Sequence, residues 1–80
     1  MLTGLNEVKT SDLYFAAYLR VAGVPLAGTT KEGPRTFFLF GDSELGALNE
    51  LHRQYYTGEA RVPALFYSQM IRDMKGLLRV

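Results

Sequence analysis

The stretch RTFFLF, residues 35–40, decides the fold of this chain, because Phe37, Phe38, Leu39 and Phe40 follow one another without a polar interruption. A strand sends alternate side chains to opposite faces, so Phe38 and Phe40 share one face while Phe37 and Leu39, with Arg35 at the strand start, share the other. Phe38 and Phe40 are read as core. Phe37 and Leu39 then need a cover of their own, since an isolated two-stranded ribbon is barely stable in water and a contiguous exposed apolar patch marks a contact surface. A helix of the same chain, a second copy or a ligand would each serve. The expectation is a second copy or another protein, with Arg35, Phe37 and Leu39 carrying the contact.

Working outward, PLAGTT at 25–30 and KEGP at 31–34 complete a hairpin turned at Gly33, with Pro25 and Pro34 at strand ends where a missing N–H costs little. Downstream, Gly41 stops the strand, Asp42 or Ser43 caps a helix over roughly 43–57, and Glu44 sits in its first turn. Leu45, Leu48, Leu51, Tyr55 and Tyr56 share one arc of that helix. Gly58 closes it and Pro63 opens another helix, about 63–78. There Phe66, Tyr67, Met70, Ile71, Met74, Leu77 and Leu78 fall within an arc of roughly 140°, opposite Ser68, Arg72, Lys75 and Arg79.

Upstream of the hairpin, Thr10 and Ser11 offer capping hydroxyls and Asp12 a first-turn charge for a helix ending at Gly23. Leu13, Tyr14, Phe15, Tyr18, Leu19 and Val21 point almost all round it, so this helix is expected at the centre. The order is α-β-β-α-α, a two-stranded antiparallel hairpin packed against three helices, in the α+β class. Residues 7–79 are read as a single small domain and residues 1–6 as a flexible N-terminus.

Composition narrows the functional classes. The chain has 80 residues and no cysteine, so it lacks a disulfide framework, a thiolate nucleophile and cysteine-type zinc sites. A chain of this size buries only about 60% of its unfolded surface, which makes help from a partner valuable. No basic leader and no apolar run near membrane-spanning length is visible, and the expected setting is cytoplasmic without membrane contact. The net charge of +1 argues against a globally basic nucleic-acid binder.

Catalytic chemistry finds few parts. His52 is the single histidine and lies beside apolar residues of the second helix, where it is read as a core-boundary side chain with one nitrogen bonded to a tyrosine or a backbone carbonyl. No nucleophile and orienting group can be assembled around it, so no enzyme, no metal, no cofactor and no small-molecule substrate is expected, with His52 as a general base or metal ligand the residual reading. The scattered glycines form no phosphate loop. Arg61, Arg72, Lys75 and Arg79 offer the alternative reading, an accessory protein that contacts nucleic-acid phosphates through the basic stripe of the last helix.

The segments KTSDLYFAAYL, TFFLF and YYTGEARVPALFY resemble a small uncharacterised domain family of bacterial and phage proteins, a domain of unknown function, over about Glu7 to Leu78. The resemblance implies a bacterial or phage intracellular protein and assigns no catalytic or ligand-binding residue. The leading expectation is a non-enzymatic interaction module, a homodimer or a docking partner.

Overall fold

The structure is a computed structural model that describes residues 7–41 and 45–78. The segment 1–6, the expected capping residues Asp42, Ser43 and Glu44, and Arg79 lie outside the described residues. The elements run β1 (Glu7–Thr10), α1 (Leu13–Val21), β2 (Leu26–Glu32), β3 (Arg35–Gly41), α2 (Leu45–Thr57) and α3 (Ala64–Leu77).

The α+β class and the three helices hold, but the hairpin is not alone. A third strand, β1, gives a three-stranded sheet ordered β1-β3-β2 with β3 in the middle, antiparallel to both neighbours. Val8 pairs with Phe40, Lys9 with Leu39 and Thr10 with Phe38. The segment EVKT carries one apolar side chain and is too short to show a period. It is a strand because β3 has a free edge to pair with, a tertiary cause that propensity does not register. β1 and β2 therefore run parallel on either side of β3, and α1 links them.

The inner face of β3 joins the core as expected: Phe38 is 1% and Phe40 0% exposed. Val8 from β1, Leu48 from α2 and Met74 from α3 complete a cluster around Phe15, Ala16, Ala17, Tyr18 and Leu19 of α1. Five consecutive buried residues cannot lie on one stripe of a helix, so α1 is enclosed on several sides, as its apolar sequence requires. Along α3 the apolar arc is wider than the contact it makes. Met74 is buried, Tyr67, Met70 and Ile71 are half-buried, and Phe66, Leu77 and Leu78 of the expected core arc are exposed.

Local chemistry sets the ends of the elements. Asp12, not Thr10 or Ser11, is the N-cap of α1: its Oδ1 accepts the N–H groups of Tyr14 at 3.0 Å and Phe15 at 3.1 Å. Thr10 Oγ1 instead accepts the Asp12 N–H at 3.1 Å. Helix α2 closes at Gly58, whose φ of 81° lets Gly58 N–H reach the Tyr55 carbonyl at 3.3 Å and Glu59 N–H the Gln54 carbonyl at 2.9 Å. That bond pair is a Schellman closure, and the left-handed residue it needs is naturally glycine. Gly33 at φ 63° and Pro34 form the two-residue turn between Glu32 and Arg35. Proline cannot take a positive φ, so the turn is of the II′ kind.

The split between the faces of β3 predicts unequal mutational costs. Phe38→Ala should destabilise the fold by about 3–5 kcal/mol in urea unfolding. Phe37→Ser should cost well under half of that; equal losses would contradict the face assignment.

Candidate functional site

The core cluster that unites sheet and helices contains Phe38 and Phe40 but neither Phe37 nor Leu39. The helices thus lie against the inner face, and Phe37 and Leu39 remain half-buried on the outer one. Their partial cover comes from β1, which the hairpin reading lacked. Lys9 Nζ sits 4.9 Å from the Phe37 ring centre and donates to Glu32 Oε2 at 2.7 Å. Lys9 stands opposite Leu39 and Glu32 opposite Arg35, so this bond spans the sheet from β1 to β2 above the central strand. Both charged groups are substantially exposed, and such pairs contribute at most about 1 kcal/mol. The same ammonium stands over the Phe37 ring, a cation–π contact of similar size. Beside Leu39 the cover ends, because its neighbour on β2 is Gly28, where a Cβ would meet nothing within 4 Å.

The expected contact residues divide. Phe37 and Leu39 belong to the outer face, whereas exposed Arg35, at the hairpin end, lines a cleft together with Ser11, Lys31, Pro34, Thr36, Phe38 and Leu78. The cleft has a volume of about 600 Å³. Of the basic stripe, Arg72 and Lys75 are exposed one turn apart on α3, without an ion pair to any described residue. Arg61 is also exposed but precedes α3, so nearly the whole helix, about 20 Å at 1.5 Å per residue, separates it from Lys75.

His52 is exposed, not enclosed, and makes no hydrogen bond to a described residue, contrary to the expected tyrosine or carbonyl partner. It lies edge-on to Phe15 at 5.5 Å and tilted on Tyr56 at 4.8 Å between ring centres. Phe15 also meets Tyr55 at 5.2 Å and Tyr56 at 5.3 Å, which makes the cluster the joint between α1 and α2. Asp12 adds a polar link, its Oδ2 accepting the Tyr56 hydroxyl at 2.7 Å. Loss of hydration among the rings, reinforced by Asp12, pushes the Tyr56 hydroxyl up to about 12. Desolvation, then the neighbouring Tyr67 hydroxyl, raises Tyr55 as well. Both Asp12 oxygens are engaged, one on the start of α1 and one on Tyr56.

No match to this chain is found among protein-family models, curated proteins or solved structures. Among the described residues no helix is long and apolar enough to cross a membrane, and no group of three or more histidine, cysteine or carboxylate side chains is placed to hold a metal ion.

Sequence reasoning missed Lys9, Glu32, Lys31, Ser11, Thr36 and Leu78 as surface-building residues. Strand alternation sends Lys31 and Arg35 to opposite faces, so it gave no signal for the cleft. Nothing local could bring Ser11 or Leu78 to it.

The sharpest electrostatic feature lies on α2. Arg53 forks to Glu50 at 2.6 Å and Glu59 at 2.9 Å, and Gln54 donates to Glu50 at 3.0 Å. The hydrogen bond from Arg53, then that from Gln54, lowers the Glu50 carboxyl from 4.5 to about 2. A depressed carboxylate contributes stability above its unfolded value and loses it as pH falls toward the folded one. Arg53→Gln should return Glu50 toward 4.5 in a side-chain carboxyl NMR titration, and the decline in melting temperature between about pH 5 and 2 should flatten.

Proposed function

We propose that this chain is a non-enzymatic interaction module that pairs with a second copy of itself through the outer face of its sheet. The observation that carries the reading is one-sided packing: among the described residues, the buried helix residues join the face of Phe38 and Phe40, while Phe37 has Lys9 and Thr30 beside it and Leu39 has Gly28. A second copy fits this face because its surface carries both signs, Lys9 against Glu32. Sheets pack face to face at about 10 Å, and the pair would be a sandwich of two sheets with helices outside.

The area limits the strength of this contact. Three strands of this length offer a face of about 300 Å², well below the ~800 Å² per partner of standard stable interfaces. Association should therefore be concentration-dependent and weak. A bacterial or phage cytoplasm is the setting implied by the resemblance of KTSDLYFAAYL, TFFLF and YYTGEARVPALFY, and it belongs to the same proposal.

Light scattering after gel filtration tests the pairing. The mass should rise from monomer toward dimer as concentration increases, and Phe37→Ser or Leu39→Glu should abolish the rise without unfolding the chain by circular dichroism. A mass that stays monomeric into the millimolar range refutes it.

A second reading, phosphate contacts to nucleic acid, is favoured by Arg72 and Lys75, which stand side by side on an open helix face without carboxylate partners among the described residues. It expects a gel shift that weakens steeply with salt and disappears in the double variant Arg72→Glu, Lys75→Glu. Absence of a shift at low salt removes this reading.

A further inference from the structure

The cleft at the hairpin end lies on the side of the sheet opposite Phe37 and Leu39, and its lining has a composition that neither pairing nor packing explains. Lys31 and Thr36 face each other across the β2–β3 ladder, with Arg35 next in sequence. Ser11 enters from the junction of β1 and α1, and Leu78 from the end of α3. Among the described residues no acidic side chain lines the space. Glu32, the carboxylate nearest in sequence, is turned to Lys9, and neither Lys31 nor Arg35 forms an ion pair with a described residue. The hydroxyls of Ser11 and Thr36 likewise have no hydrogen-bond partner among the described residues. Pro34 and Leu78 supply apolar wall, and Leu78 is 44% exposed.

We propose that this cleft binds a small organic phosphate monoester, with Lys31 and Arg35 on the phosphate, Ser11 and Thr36 hydroxyls donating to its oxygens, and the organic group against Pro34 and Leu78. The volume of about 600 Å³ lies within the usual range of small-molecule sites. A monoester near neutral pH carries a charge of about −1.5 to −2, which matches two cations better than a single carboxylate does. The guanidinium supplies a planar fork and the ammonium a mobile point charge, and phosphate uses both. The carbonyl end of α3 opposes an anion, but with only about half an elementary charge against two full ones.

Amide NMR titration of the full chain with phenyl phosphate, inorganic phosphate and benzoate tests the site. Phenyl phosphate should move the amides of Ser11, Lys31, Arg35, Thr36 and Leu78 along one saturable curve and bind about tenfold more tightly than inorganic phosphate, because its ring leaves water. Lys31→Gln and Arg35→Gln, both at exposed positions, should each weaken binding at least about fivefold. Leu78→Ala should remove the advantage of the ring and leave inorganic phosphate unchanged. Leu39→Glu, which breaks the proposed pairing, should leave phosphate binding intact, so the two proposals fail separately. Shifts that do not saturate, that follow Arg72 and Lys75 equally, or that survive both glutamine variants overturn the site. Benzoate binding as tightly as phenyl phosphate overturns the assignment to phosphate.

Discussion

The core that α1 shares with the inner face of β3 governs the architecture. Phe15 to Leu19 are buried without interruption, and Phe38 and Phe40 form part of the same core. A helix apolar around most of its circumference needs cover from more than one direction, which the sheet, α2 and α3 supply together. The edge of that arrangement is fixed by Asp12, whose carboxylate caps α1 with one oxygen and holds Tyr56 of α2 with the other. N-caps of this kind contribute about 1 kcal/mol, and here the same group also sets where α2 lies.

Packing all helices on one side leaves β3 with a two-sided problem that the strand itself cannot solve. Pairing on both edges satisfies its backbone, and Phe38 and Phe40 satisfy one face. On the other face the fold answers with a lysine rather than a helix, laying Lys9 across Phe37 to Glu32. This lowers the apolar exposure while keeping the face flat. The outer edge of β2 is less suited to pairing: its register shifts between Leu26 and Gly28, and it ends in Lys31 and Glu32. Bulges and charges of this kind discourage strand addition, which favours the face over the edge as the route to association.

Much of this was legible in the sequence wherever one local rule acted alone. Gly33 and Gly58 sit at positive φ where turn and helix-stop rules place them, and α1 is enclosed as its apolar periphery demands. The reading failed where two local rules competed. Thr10, Ser11 and Asp12 are all good caps, and only the spacing of the first free N–H groups selected Asp12. On α3 the apolar arc shows the direction of burial but not its width, and Phe66, on that arc, is 61% exposed.

The sequence by itself determined the helices, the hairpin and the division of Phe37, Phe38, Leu39 and Phe40 between two faces, because periodicity and turn chemistry are properties of neighbouring residues. Only the tertiary structure decided that EVKT is a strand, that Lys9 reaches across to Glu32, and that Ser11, Lys31, Arg35 and Leu78 border one cleft. Each of these depends on a residue far along the chain offering a free edge, an opposite charge or a wall, and such partners leave no local trace.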